Sequence, residues 1–226
     1  MKLSENTIVI LKNFASINEN IHFRTGNVIR TIAESGHILA AAKVTETFDT
    51  EFALYNLNTF MNGLKLFKDP EIEFTEEGKN NYALITQGSS KIKYMLTPPS
   101  LVKAPENRDL ILPSKDTCFE ISEDQFERLI KSANVLNLED ITIMGDSGEI
   151  NILVRNKEDP TSNQVSITVG ETSDEFILNY KVEYLTKIIP GSYDVTISKE
   201  LISKFENQNF DLTYFVGLES DSSYYS

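Results

Sequence analysis

The same unit is written twice along this chain. Leu3-Ser4-Glu5-Asn6 opens an amphipathic helix near the start, and Ile121-Ser122-Glu123-Asp124 opens another past the midpoint. Downstream of each lies a strand-like segment, Thr50-Glu51-Phe52-Ala53-Leu54-Tyr55 in the first half and Asp174-Glu175-Phe176-Ile177-Leu178-Asn179 in the second. The serines lie 118 positions apart and the phenylalanines 124, a drift of six that a loop insertion accounts for. A repeat this long is a domain, because solenoid units recur every ~20 to 50 residues. Two such domains in 226 residues predict two modest cores and a symmetric assembly.

Periodicity fills in each unit. Phe126, Leu129, Ile130 and Ala133 recur at helical spacing, with Arg128 and Lys131 on the opposite side. Ile10, Leu11 and Phe14 make the equivalent stripe in the first half, with Lys12 and Asn13 turned away from it. Ser4 and Ser122 are placed to accept from the unpaired amides of the first turn, so both are predicted N-caps. A second helix follows each Glu-Phe segment. In one, Leu57, Phe60, Met61, Leu64 and Phe67 form the stripe and Lys65 lies outside it. In the other, Val182, Leu185, Ile188 and Ile189 face Glu183 and Lys187, and Pro190-Gly191 ends the pattern.

Between and after the helices the period drops to two. Ile72 and Phe74, Tyr82 and Leu84, then Ile92, Tyr94 and Leu96 alternate around Glu77-Gly78 and Gln87-Gly88, as hairpins do. Val195, Ile197, Phe205, Leu212, Tyr214, Val216 and Leu218 repeat the arrangement. Each half therefore reads as an α+β unit, two helices with much antiparallel sheet. Residues 97–116 hold four of the seven prolines and little periodicity, which makes them an interdomain connector between domains at 1–96 and 117–226. The polar tail 219–226 is expected to fray.

Composition removes several function classes. No run approaches the ~20 apolar residues of a membrane span, so no membrane is expected. The chain enters a capped helix directly after Met1, without a secretory leader, and Cys118 stands alone; both predict a reducing cytoplasm. Gly145-Asp146-Ser147-Gly148 resembles a serine-protease nucleophile motif, but the flanking alternation reads as a hairpin turn. His22 and His37 fall in strand-like segments with no further ligand spaced to complete a metal site. Glu123 and Asp124 are accounted for by the helix dipole. No catalytic residue, metal or cofactor is expected.

A net charge of −13 argues against a protein that coats nucleic acid over its whole surface, yet leaves room for a local basic face. Lys12, Lys65, Arg128, Lys131 and Lys187 all lie opposite apolar stripes, at least one on each of the four helices. On any one helix, a charged outer face is ordinary solvated surface. On a common surface these cations could hold phosphates by counterion release without reading sequence.

Several segments carry a family resemblance. Met1-Lys2-Leu3-Ser4, Leu11-Lys12-Asn13-Phe14-Ala15-Ser16-Ile17-Asn18, Ala53-Leu54-Tyr55-Asn56-Leu57-Asn58, Pro190-Gly191-Ser192-Tyr193 and Lys204-Phe205-Glu206 resemble the DNA polymerase sliding clamps of T-even-type phages and their cyanophage relatives. The resemblance implies a homotrimeric closed ring of six domains, of the fold shared with the proliferating cell nuclear antigen, with helices lining the hole. It implies a processivity factor that encircles double-stranded DNA and tethers the polymerase. Lys12, Lys65, Arg128, Lys131 and Lys187 then face the DNA. The implied partners are a clamp-loader ATPase, factors of late transcription, and the polymerase C-terminal peptide. That peptide is expected in a pocket near Leu101, Val102, Ile111, Leu112, Tyr214 and Phe215. The implied location is the cytoplasm of the infected bacterial host. The runner-up is an oligomeric phage structural or adaptor protein, which needs no cationic lining.

Overall fold

A computed structural model describes residues 1–77 and 80–225. Contacts divide the chain into two compact units, Met1–Asn107 and Arg108–Ser226, and the divide falls inside the segment read as a connector. Gly78, assigned to the first hairpin turn, lies outside the described residues.

The first unit runs α1 (Glu5–Ile17), β1 (Ile21–Phe23), β2 (Gly26–Ile32), β3 (Ile38–Phe48), β4 (Phe52–Leu54), α2 (Leu57–Leu64), β5 (Glu71–Glu77), β6 (Asn80–Gln87) and β7 (Ser90–Met95). All pairings are antiparallel: β1 with β4, β2 with β3, and β5-β6-β7 in order. Ser4 is extended and its hydroxyl accepts from the Thr7 amide at 3.2 Å, as its position predicts. The buried stripe of α1 holds Ile10, Leu11 and Phe14, the last two with no exposed surface. Phe23, Phe48, Phe52 and Phe74 form an aromatic core, with ring centroids 4.8 Å apart for Phe23 and Phe48 and 4.1 Å for Phe52 and Phe74.

The second unit runs β8 (Thr117–Ile121), α3 (Glu123–Leu136), β9 (Asp140–Asp146), β10 (Glu149–Arg155), β11 (Val165–Glu171), β12 (Glu175–Lys181), α4 (Val182–Leu185), β13 (Tyr193–Ser198), β14 (Ile202–Asn207), β15 (Leu212–Gly217) and β16 (Ser223–Tyr225). One sheet has the order β11-β10-β9-β12-β16, and β8, β13, β14 and β15 pair antiparallel in that sequence. Ser122 and Gln125 form a reciprocal capping box at the start of α3. Each unit is α+β, with helices packed on antiparallel sheet.

Three expectations are corrected. The stripe of the last helix keeps Val182, Leu185 and Ile188 buried, but α4 stops at Leu185. Beyond it the Ile189 carbonyl accepts from the Tyr193 hydroxyl and its amide donates to the Tyr214 hydroxyl, while Pro190 disfavours helical geometry at Ile189. The tail is pinned rather than frayed. β16 pairs with β12, the Tyr224 ring lies tilted against Phe176 and its hydroxyl shares a 3.0 Å hydrogen bond with Thr117, and Asp221 meets Lys157 at 2.6 Å. His37 lies in the bend before β3, not in a strand.

The connector residues of the first unit are tied down by side chains, since prolines offer no amide donors. Arg24 donates to the Pro105 carbonyl at 2.8 Å, and the Asn18 amide nitrogen donates to the Lys103 carbonyl at 3.5 Å. Beside Arg24, the His22 Nε2 lies 2.6 Å from a Glu51 carboxylate oxygen. Burial, then the Arg24 charge, holds the His22 imidazole below its ordinary value of 6.5 despite Glu51. The unfolded chain therefore takes up this proton at a higher pH than the folded one does. Stability should fall as pH drops through 6.5 toward the folded value, then level off. Thermal melts between pH 7.5 and 5.5 check this, and His22→Gln should flatten that part of the profile.

Candidate nucleic-acid interface

The helix faces opposite the apolar stripes are where sequence placed the cations. In the first unit α1 and α2 pack against each other, leaving a shallow depression floored by Ile8, Met61 and Leu64. Lys12 reaches it from α1, and Lys65 from the C-cap of α2, where its ammonium donates to the Asn62 side-chain oxygen at 3.1 Å. The structure adds Lys2 and Lys68 to the same depression. Lys2 is ion-paired with Asp69, and that hydrogen bond raises its pKa. Glu5 supplies the other carboxylate. Lys68 is missed by periodicity because it lies beyond the end of α2, and Lys2 because it precedes the N-cap of α1. A cation within three residues of another outer-face cation is the signal that finds Lys68.

In the second unit Arg128 and Lys131 share a depression on α3 with Asp124 and Glu127. Lys131 is paired to Glu127 one turn back, which raises the Lys131 pKa by a hydrogen bond and by charge. An exposed pair of this kind contributes little to stability, but it does cancel local potential. Val135, 77% exposed, extends that depression toward the helix end. Lys187 sits elsewhere, half-buried in the turn after α4. The structure thus brings together Lys12 with Lys65, and Arg128 with Lys131, each pair within its own unit.

The residues named for a peptide pocket divide by environment. Leu101 ends a short 3-10 turn and is 66% exposed, Ile111 is 84% exposed, and Val102 and Leu112 are half-buried. Tyr214 has no exposed surface: it lies against Tyr193 in the second-unit core, and burial lifts its hydroxyl above the ordinary tyrosine range. Phe215, its neighbour on the other face of β15, is 6% exposed.

Ser147 is the first residue of a two-residue hairpin turn, with φ of 53° at Ser147 and 89° at Gly148. Positive φ at both central positions is the geometry whose twist matches a hairpin. The Ser147 hydroxyl donates to its neighbour Asp146 at 3.1 Å, a contact within the turn itself. Among the described residues no group of His, Cys, Asp and Glu is placed to hold a metal, and no helix is long and apolar enough to cross a membrane.

The profile of a family described as DNA polymerase processivity factor matches residues 2–99. The sliding clamp of Enterobacteria phage T4 is 33% identical over 99% of this chain and 99% of its own length, and that of Escherichia phage RB69 is 31% identical over the same shares. The sliding clamp of Vibrio phage KVP40 is 29% identical, covering 97% of this chain and all of the relative. Among solved structures, A. fulgidus PCNA bound to the C-terminal region of FEN-1 superposes with a TM-score of 0.70 at 14% identity, over 99% of this chain and 100% of that one. PCNA from Entamoeba histolytica gives 0.69 at 11%, over 96% and 97%. The last two bear on the fold alone.

Proposed function

The chain belongs to the sliding-clamp family of DNA polymerase processivity factors, and from that premise we propose that it closes into a homotrimeric ring threaded by duplex DNA. The function is non-enzymatic. A clamp holds its polymerase at the primer end by topology, which replaces a weak encounter with a high effective concentration. The observation that carries the ring reading is full-length similarity to phage clamps, combined with two copies of one α+β unit per chain. Three chains of two units supply six units and, with four α-helices per chain among the described residues, twelve helices.

Lys12, Lys65, Arg128, Lys131 and Lys187 face the DNA in this reading, and their contacts are to phosphates, so they are indifferent to sequence. The acidic remainder of a chain with net charge −13 turns DNA away from the outer surface. A clamp-loader ATPase opens the ring. The polymerase C-terminal peptide docks near Leu101, Val102, Ile111, Leu112, Tyr214 and Phe215, of which Leu101 and Ile111 are exposed and Tyr214 is fully buried. The A. fulgidus relative bound to a C-terminal region of FEN-1 supports a peptide mode of this kind. The protein acts in the cytoplasm of the infected host.

Native mass and processive extension on a primed circle test the proposal together. The expected mass is three times 25.6 kDa. Reversing all five cations to Glu should abolish processive extension, with the ring still assembled. A stable monomer at micromolar concentration would favour a phage adaptor protein, and full processivity in the reversed variant would remove these five cations from the DNA-facing surface.

A further inference from the structure

The two units of one chain present unequal faces to a polyanion. Across α1 and the stretch from α2 to Lys68, the charged side chains are Glu5 against Lys12, Lys65 and Lys68. Across α3 and the stretch from α4 to Lys187, they are Glu123, Asp124, Glu127 and Glu183 against Arg128, Lys131 and Lys187. The sign of the local charge therefore reverses between units of the same fold. Pairing deepens the difference. Lys131 is already held by Glu127, whereas Lys12, Lys65 and Lys68 share a depression whose other acid, Asp69, is taken by Lys2. Glu123 and Asp124 also occupy the first turn of α3, where they offset the positive end of its dipole; α1 has only Glu5 there.

We infer that the depression between α1 and α2, with Lys12, Lys65 and Lys68, is the principal phosphate seat of each subunit, and that the second-unit helices are a weak one. This rests on the encirclement reading above and deepens it: the hole alternates strong and weak phosphate affinity, with one strong seat per chain. Lys68 is thereby a DNA-contacting residue. At physiological salt the Debye length is ~8 Å, so an ammonium beside its own carboxylate is nearly neutral to a phosphate farther off. A phosphate approaching α3 must first displace Glu127 from Lys131, while one approaching α1 and α2 meets three lysines and displaces only an Asn62 contact.

The salt dependence of binding reads this directly. The full-length protein is titrated onto a short fluorescent duplex by anisotropy at several salt concentrations, and retention on a nicked circle is measured after loader-driven loading. Each lost phosphate contact lowers the log-log slope by about 0.9. The variant Lys12→Gln/Lys65→Gln/Lys68→Gln should flatten the slope by about 2 to 3, and Arg128→Gln/Lys131→Gln by less than about 1. Unchanged melting temperatures exclude misfolding as the cause. Equal losses, or a larger loss from the α3 pair, would overturn the asymmetry while leaving encirclement intact. If wild type is not retained on the circle, encirclement itself fails, whatever the order of the slopes. Lys68→Gln alone must lower the slope measurably, and an unchanged slope removes it from the seat.

Discussion

Gly145→Ala unfolds the second unit or destabilises it by about 3 kcal/mol or more. A Cβ at this position of β9 would stand 2.5 Å from Cε1 of Phe176 and 2.6 Å from the Asp174 carbonyl oxygen. Neither neighbour can give way cheaply. The Asp174 oxygen is main chain, and Phe176 is 1% exposed, paired in register opposite Gly145 and packed against Tyr224. Relief requires β9 and β12 to separate, and β12 in turn holds the C-terminal strand β16. Urea unfolding should place the midpoint far below wild type, with the melting temperature lower by more than about 10 °C. Ser147→Ala, two residues on, removes an exposed hydrogen bond to Asp146 and keeps a positive φ that Ser already bears, so it should cost little and change no activity. The Gly-Asp-Ser-Gly motif is thus held by packing at its first glycine and by turn geometry at its last. A hydrolase built on Ser147 would show the opposite pattern, with Ser147→Ala lethal to activity.

What sequence could reveal follows from the range of the forces involved. Caps and stripes are local, so Ser4, Ser122 and the apolar faces of α1, α2 and α3 were legible, as was the hairpin at Gly145–Gly148. The early end of α4 was not, because two tyrosine hydroxyls from β13 and β15 take the backbone groups that a further turn would use. The pinned tail was hidden for the same reason: Thr117, Phe176 and Asn179 meet it only after the sheet has formed. In the candidate interface, Lys12 and Lys65 could be found from their place opposite a stripe. Lys68 and the cancellation of Lys131 by Glu127 required knowing which side chains share a depression. Tyr214 alternates as a strand residue whether it lines a groove or fills a core, and only its complete burial separates the two.

Glu46→Ala should cost the first unit about 2 to 4 kcal/mol at neutral pH, since it removes a charged acceptor and strands a buried hydroxyl. Glu46 lies in the inward row of β3, alternating with Val44 and Phe48, and is only 9% exposed. A carboxylate in that row persists only if its oxygens are hydrogen-bonded. They are: the Ser4 amide and the Thr7 hydroxyl, the latter at 2.5 Å and 1% exposed, both donate to it. The carboxylate therefore pins the first turn of the helix that carries Lys12, from 42 residues away in sequence. Burial pushes its pKa up, but the Thr7 and Ser4 hydrogen bonds outweigh this and hold it below the ordinary 4.5. The sign follows: the unfolded chain binds this proton more readily, so the contribution is complete above 4.5 and fades as pH falls through the folded value. Wild type and Glu46→Ala should differ most in melting temperature near pH 7 and draw together in acid. Glu46→Gln, which keeps one acceptor oxygen and no charge, should fall between them. A gap between wild type and Glu46→Ala that stays constant down to pH 3 would mean that packing, not the charged cap, holds α1 in place. In that case processivity should survive Glu46→Gln at any temperature below the melt, whereas a cap-dependent α1 should lose it several degrees earlier as Lys12 moves off the depression.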